Sequence, residues 1–169
     1  KKNISKVYNT ISNNLVFSKS IENAEMSKVI ENIQRDINIA FMNEIFMVCK
    51  KSNLNFKEVI KLAKSKWNFL NFSPGLVGGH CLPVDPYYFY HYAKTKGHNA
   101  QFMLSGRKVN DELEYFIFKK IVEKIKSEKL KKILILGVSY KAQVSDLRNS
   151  LALNLYLKLK KKFKNKVHA

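Results

Sequence analysis

The first 73 residues contain neither glycine nor proline, the two residues that most often interrupt a regular helix. From about residue 23, apolar side chains recur at three- and four-residue spacing, among them Val29, Ile33, Ile37 and Ala40. This periodicity is typical of an amphipathic helix that buries one face. We therefore predict one long helix over about residues 23–51, which restricts the chain to a mainly helical fold.

The same reasoning predicts further helices along the chain. Apolar periodicity indicates helices over residues 56–66, 87–96 and 103–126, the first of them capped by Asn53 or Asn55. Residues 1 to about 20 mix apolar side chains with Asn and Ser, and we expect a short helix followed by an extended piece there.

The C-terminal part of the chain has a different pattern. Residues 132–139 form a short, continuously apolar run that is rich in β-branched residues and contains Gly137, which is typical of a buried parallel strand. Residues 150–163 then read as the first crossover helix of an α/β domain. One strand and one helix cannot form a sheet, so we expect this domain to be truncated, with its other strands beyond Ala169.

The composition narrows the choice of partner. The formal net charge is +18, mostly from lysine, which favours an anionic partner such as a phosphate-bearing small substrate. A basic nucleic-acid-binding module is an alternative, but the lysines are dispersed except for a cluster at residues 158–166, and we expect no nucleic-acid partner. No apolar run reaches the ~18 residues of a bilayer span, so no membrane partner is expected.

Cysteine usage and the N-terminus complete this picture. The two cysteines, Cys49 and Cys81, form no Cys-x-x-Cys pair, which argues against a disulfide framework and a metal site and favours a cytoplasmic protein. The chain starts with neither Met nor the apolar core of a signal peptide, and we expect it to be a piece of a longer protein.

Glycine and proline are concentrated between residues 74 and 86. Gly75, Gly78 and Gly79 permit close approach of a ligand, and Cys81 follows directly as a candidate nucleophile. Asp85 is placed to handle a proton or a water. An ordinary turn around a buried cysteine remains an alternative. A cysteine hydrolase is another, although His80 is adjacent to the thiol and adjacent side chains seldom align as base and nucleophile.

Three polar residues share one face of the long helix. Lys28, Asn32 and Arg35 are spaced i, i+4 and i+7, so that they lie about one turn apart. Lysine and amide groups can donate to a developing oxyanion, and an arginine can hold a hydroxyl or a carboxylate. The alternative is a solvated basic stripe in which Glu31 and Asp36 pair locally.

A third group follows the predicted strand. Tyr140 and Lys141 come directly after it, where ligands meet parallel sheets. The sequence contains no G-x-G-x-x-G motif, so the residues themselves do not argue for dinucleotide binding.

The order and spacing of these three groups resemble the UDP-glucose/GDP-mannose dehydrogenase family, in its branch for UDP-N-acetylhexosamines or related uronate-forming enzymes of surface polysaccharides. The matching stretches are residues 24–44, residues 66–88 and residues 137–150, and their order and spacing match over nearly the whole chain. The resemblance implies oxidation of C6 of a UDP-sugar in two NAD-dependent steps, through a thiohemiacetal and a thioester on Cys81. An inactive, dimerising remnant of such an enzyme is an alternative.

The resemblance also implies a domain organisation and partners. Residues 1–20 would end a missing NAD-binding Rossmann domain. Residues 21–126 would form a central helical domain like the C-terminal domain of 6-phosphogluconate dehydrogenase, and residues 127–169 would begin a UDP-sugar-binding α/β domain. The expected partners are a UDP-sugar, the missing segments and a second copy of the chain, bound through the long helix.

Carried over position by position, the resemblance implies roles for eight residues besides Cys81. Lys28 and Asn32 would stabilise oxyanions, and Asp85 would assist the water. Contacts to the sugar nucleotide would come from Arg35, Gly78, Tyr140 and Lys141, and the contact to an NAD phosphate from Arg148. Val84 stands where the UDP-glucose branch commonly has lysine, which favours an acetamido-sugar.

Overall fold

The computed structural model describes residues 2–169, and Lys1, which the predicted N-terminal tail includes, lies outside them. The fold is mainly helical, as predicted. The elements in chain order are α1 (Lys2–Tyr8), α2 (Ile21–Lys51), α3 (Phe56–Ala63), α4 (Asp85–Thr95), α5 (Gln101–Ser127), β1 (Ile133–Leu134), α6 (Leu151–Phe163), a 3₁₀ turn (Lys164–Lys166) and β2 (Val167–His168).

The long helix α2 confirms the prediction and begins two residues earlier than expected. The side chain of Ser20 caps it by accepting a hydrogen bond from the backbone N–H of Asn23. One stripe of α2 is buried and contains both apolar and polar residues, and the helix packs mainly on α5. The stripe comprises Asn32, Ile33, Asp36, Ala40, Met42, Asn43 and Cys49.

The helices after α2 also follow the prediction, with shifted ends. Asn55 rather than Asn53 caps α3, because its side-chain oxygen accepts from the backbone N–H groups of Lys57 and Glu58. Helix α3 ends at Ala63, three residues earlier than predicted. Helix α4 begins at Asp85 with proline in its first turn, a position where the missing N–H costs nothing.

The predicted buried strand over residues 132–139 is wrong in its extent. Only Ile133 and Leu134 pair, in parallel with Val167 and His168, and Leu136 is 86% exposed. The expectation that the chain holds a single strand is also wrong, since β2 lies within it. A two-residue strand is too short to leave a periodic signal, which is why the sequence did not reveal it.

The α/β segment packs on the helical part through a small core. Leu155 and Leu159 of α6 and Val167 of β2 are buried there, with side chains of α5 packed against them. An ion pair between Lys158 and Glu114, 2.8 Å long, also joins α6 to α5. None of the helices within residues 2–169 combines the length and apolar character that crossing a membrane requires.

Candidate active site

The polar face of α2 forms one wall of the candidate site. The Nζ of Lys28 lies 2.5 Å from Glu31 and 3.4 Å from the side-chain oxygen of Asn32, while Arg35 donates to Glu31 at 2.6 Å and to Asn32 at 2.9 Å. The hydrogen bond from Lys28, together with the charge of Arg35, lowers the pKa of Glu31. Glu31 therefore pairs locally, as the alternative interpretation expected, and holds both cations on one face. Asp36 does not.

Asn32 links this helix face to the segment that carries the cysteine. It is 2% exposed, and its amide nitrogen donates to a carboxylate oxygen of Asp85 at 2.6 Å. The backbone N–H of Asp85 in turn donates to the carbonyl of Cys81 at 2.8 Å, as the chain turns into α4. These contacts bring three of the predicted catalytic residues, Asn32, Asp85 and Cys81, into one connected structure.

The glycine-rich loop is anchored on α2 by a buried asparagine. The side chain of Asn43 accepts from the backbone N–H of Gly75 at 2.8 Å and donates to the carbonyl of Gly75 at 3.0 Å. It also donates to Asn110 of α5 at 2.8 Å. A side chain that satisfies both backbone polar groups of one residue fixes the loop at its start, where Gly75 lines the cavity.

A buried ion pair continues this network between α2 and α5. Arg107 donates to Asp36 at 2.5 Å and to Asp111 at 2.5 Å, and Asn110 donates to the same Asp36 oxygen at 2.8 Å. Burial raises the pKa of Asp36, and the charge and hydrogen bonds of Arg107 and Asn110 oppose that rise. The network fixes how the two long helices meet beneath the site.

The segment after β1 covers the glycine loop, and this explains two of its glycines. A Cβ atom at Gly78 would lie 2.5 Å from the backbone oxygen of Asn149, and one at Gly79 would lie 2.9 Å from the ring of Tyr140. Gly79 also has a φ of +95°, which disfavours any side chain. The sequence predicts that these glycines permit close approach of a ligand. At both positions the close neighbour is the chain itself.

His80 and Arg148 meet on a shared carboxylate beside this contact. The Nε2 of His80 lies 2.9 Å from Asp146, and Arg148 donates to the same carboxylate at 2.8 Å through Nη2. The hydrogen bond from Arg148, then that from His80, holds the pKa of Asp146 well below its usual range. Asp146 is therefore ionised at neutral pH.

These walls enclose a cavity of about 420 Å³. Seven of the nine predicted site residues line it, and Cys81 among them is exposed, while the other cysteine, Cys49, is buried. Asp85 does not line the cavity but accepts a hydrogen bond from Asn32, which does. Arg148 lies outside the cavity and pairs with Asp146. The lining residues from the prediction are Lys28, Asn32, Arg35, Gly78, Cys81, Tyr140 and Lys141.

The sequence reasoning missed the residues that support this cavity. Asp36 and Asn43 on α2, and Arg107 and Asn110 on α5, are polar residues on faces that are otherwise apolar. A polar residue on an apolar helix face is the sequence feature that could have identified them, because a polar group is buried only where it has a partner. Within residues 2–169, no three His, Cys, Asp or Glu side chains come together as candidate metal ligands.

Fold and cavity together define a helical domain that presents an exposed thiol next to lysine and amide groups, an arrangement suited to covalent chemistry on an anionic substrate. Comparison with known proteins gives the family. Residues 22–112 match the model for the central domain of the UDP-glucose/GDP-mannose dehydrogenase family. The chain belongs to this family.

Curated relatives and solved structures agree with the family model. The chain is 42% identical to protein CapL of Staphylococcus aureus over 85% of its length, and 38% identical to a UDP-N-acetyl-D-glucosamine 6-dehydrogenase of Pseudomonas aeruginosa over 84%. It spans 35% of the length of each of these relatives. The solved UDP-N-acetyl-mannosamine dehydrogenase Cap5O from Staphylococcus aureus superposes with a TM-score of 0.81 and 32% identity, covering 98% of this chain and 38% of that one.

Proposed function

We propose that this chain supplies the nucleophile-bearing part of an NAD-dependent UDP-N-acetylhexosamine 6-dehydrogenase, which forms a uronic acid for surface polysaccharides. The observation that carries the proposal is the exposed Cys81 in a cavity that Lys28 and Asn32 also line. A thiolate and an alkoxide are both stabilised by a neighbouring ammonium group, so one cavity serves both.

Cys81 is the covalent nucleophile in this proposal. Its thiolate adds to the aldehyde carbon that the first oxidation forms at C6, and the carbonyl oxygen becomes the oxyanion of a thiohemiacetal. After the second oxidation the sugar is held as a thioester, and water releases it as the acid. The exposure of Cys81, in contrast to the buried Cys49, supports this assignment.

Lys28 and Asn32 stabilise the oxyanion. An amide group carries two N–H donors, and Asp85 takes one donor of Asn32, so the second is available to the substrate. Lys28 provides the positive charge and can pass a proton. The lysine keeps its ammonium group on this face because Glu31 pairs with it at 2.5 Å.

Asp85 assists the water that hydrolyses the thioester. Its carboxylate is held by Asn32 and its backbone N–H by the carbonyl of Cys81, so that its position relative to Cys81 is fixed. Hydrogen bonds of this kind hold a general base in the orientation that proton transfer needs.

The sugar nucleotide is bound by groups from both sides of the cavity. Arg35 and the backbone at Gly78 contribute from the helical part, and Tyr140 and Lys141 contribute from the segment after β1. Cationic side chains on both walls suit a diphosphate. The relatives named as UDP-N-acetyl-D-glucosamine and UDP-N-acetyl-D-mannosamine dehydrogenases, and Val84 beside Asp85, favour an acetamido-sugar.

NAD, when bound, would accept the hydrides removed from C6. Arg148 fits a contact to one of its phosphates, since this side chain is 76% exposed. The sequence has no G-x-G-x-x-G motif, so the remaining contacts would come from a Rossmann domain of which residues 1–20 are the end. In this proposal residues 21–126 are the central domain, residues 127–169 begin the UDP-sugar-binding domain, and two copies associate through α2.

Protection of Cys81 from alkylation tests the proposal directly. We expect UDP-N-acetylglucosamine or UDP-N-acetylmannosamine at saturating concentration to slow the iodoacetamide reaction of Cys81 by about tenfold, because the sugar covers the thiol. Mass spectrometry of the modified peptide gives the rate. Cys49 serves as the internal control, and its slow reaction should not respond to the nucleotide sugar.

A matched variant identifies the cavity as the binding place. Lys141→Ala should remove most of the protection, whereas Lys131→Ala, an exposed lysine before β1, should leave it intact. An alkylation rate of Cys81 that is the same with and without either nucleotide sugar would contradict the proposed function and would favour an inactive, dimerising remnant.

A further inference from the structure

One wall of the cavity belongs to the segment of residues 139–149, which we call the Tyr140 segment. Tyr140 and Lys141 of this segment line the cavity. The segment reaches the glycine loop through a reciprocal pair, in which Gly79 N–H donates to the carbonyl of Asn149 at 3.3 Å and the Asn149 amide donates to the carbonyl of Gly79 at 3.2 Å. Both bonds are long, so this pair is a weak attachment.

His80 provides the shorter contact between the same two parts. Its Nε2 lies 2.9 Å from Asp146 in the middle of the Tyr140 segment, 66 positions further along the chain. The His80 ring also meets the Tyr140 ring edge-on, with centroids 6.0 Å apart. His80 therefore touches the Tyr140 segment at two points, while its backbone continues directly into Cys81.

The charges around this contact favour it. Asp146 is held as a carboxylate by Arg148, which contacts it through Nε at 3.0 Å and Nη2 at 2.8 Å. A ring N–H that donates to a carboxylate forms a stronger hydrogen bond than one between neutral groups. The groups that face His80 are Asp146, with Arg148 behind it, and the phenol ring of Tyr140.

We propose that His80 is a positioning residue that latches the Tyr140 segment onto the glycine loop and so holds Tyr140 and Lys141 in the cavity wall. The nucleophile's neighbour thus does not act on the thiol. It acts through Asp146 on the opposite wall. The role of the latch in binding a UDP-sugar rests on the proposed function. The attachment of the Tyr140 segment by His80 does not depend on that function.

Limited trypsin digestion of the 169-residue chain tests the latch without any ligand, because Lys141 and Arg148 are cleavage sites inside the Tyr140 segment. The side chain of asparagine is too short to reach Asp146 from position 80. We therefore expect His80→Asn to raise cleavage at these two sites by about three- to fivefold. His80→Gln places an amide N–H near the Nε2 position and should restore most of the protection. His98→Asn, an exposed histidine in the turn after α4, is the matched control and should cleave like the unaltered chain.

Asp146→Ala breaks the same contact from the other side, and it keeps the test decisive if His80→Asn does not fold. Equal cleavage rates for His80→Asn, Asp146→Ala and the unaltered chain would overturn the latch, and so would a failure of His80→Gln to restore protection in a folded chain. Circular dichroism establishes that each variant is folded.

The nucleotide-sugar experiment separates the two proposals. If the latch variants increase cleavage and also weaken the protection of Cys81 by UDP-N-acetylglucosamine or UDP-N-acetylmannosamine, the latch and the function both stand. If cleavage increases but neither nucleotide sugar protects Cys81 in the unaltered chain, the latch stands and the proposed function fails.

Discussion

Asp36 and Arg107 form an ion pair that is almost completely out of contact with solvent, at 0% and 2% exposure. One carboxylate oxygen of Asp36 accepts from Arg107 and Asn110, while the other has no partner among the described residues. A buried charge of this kind is stable only as long as its counter-charge stays in place. The pair therefore makes the packing of α2 on α5 sensitive to single substitutions.

Replacing Arg107 should reveal this sensitivity as a pH dependence. We expect Arg107→Met to lower the free energy of unfolding by about 3–5 kcal/mol at neutral pH, since Asp36 is left as an unpaired buried charge. Burial raises the folded-state pKa of Asp36, so the folded chain binds this proton more tightly than the unfolded chain. The loss should therefore shrink as pH falls through the raised pKa and grow as pH rises.

Urea unfolding of the variant and the unaltered chain at about pH 5 and about pH 7.5 measures the effect. The double variant Asp36→Asn with Arg107→Met is the control and should abolish the extra pH dependence. An equal loss at both pH values would show that Asp36 does not carry the effect.

At the scale of elements, α2 exposes apolar side chains on the side away from its buried stripe. Ile30, Phe41 and Val48 are each about half exposed, and their spacings of eleven and seven residues place them along one line of the helix. Apolar side chains aligned in this way are costly in water and suit a partner surface. They support the proposed association of two copies through α2.

A charge in the centre of this line should weaken the association. We expect Phe41→Lys to raise the dissociation constant of the dimer by about tenfold or more, because the buried area of one aromatic side chain is lost and a charge must be desolvated. Sedimentation velocity over a range of concentrations measures it. Glu25→Gln changes the net charge by the same amount on another side of α2 and should leave the dimer unchanged, and a monomeric unaltered chain would contradict the proposal.

At the scale of the whole molecule, one polar network connects α2, α5 and the glycine loop. Asn43 is fully buried and bonds Gly75 on one side and Asn110 on the other. Asn110 then continues to Asp36. The packing of two long helices and the position of the cavity loop therefore depend on the same side chain.

Removing this side chain should affect both properties. We expect Asn43→Ala to lower the free energy of unfolding by about 2–4 kcal/mol, because the N–H and carbonyl of Gly75 and the side-chain oxygen of Asn110 each lose a hydrogen-bond partner. Urea unfolding measures the loss. Asn38→Ala is the matched control on the same helix, since Asn38 donates only to a carbonyl one turn earlier, and it should cost about 0.5 kcal/mol or less.

The helical part of the fold could be predicted from the sequence, because apolar periodicity depends only on residues that are close together in the chain. Apolar spacing located α2 and α5 to within two residues, and the side-chain cap of α3 was narrowed to two asparagines, of which Asn55 is the right one. The short sheet could not be predicted, because a strand of two residues has no periodic pattern. The burial of Val167 comes from its packing with Leu155 and Leu159 of α6, which the sequence alone does not show.

For the candidate site, the sequence by itself determined which residue types stand on one helix face and which thiol follows the glycine loop, because both depend on near neighbours in the chain. Only the tertiary structure decided that Gly78 and Gly79 receive Asn149 and Tyr140, that His80 meets Asp146, and that Asn43 holds Gly75. These contacts join residues more than thirty positions apart, and such pairings are set by how the helices and the segment after β1 pack in three dimensions.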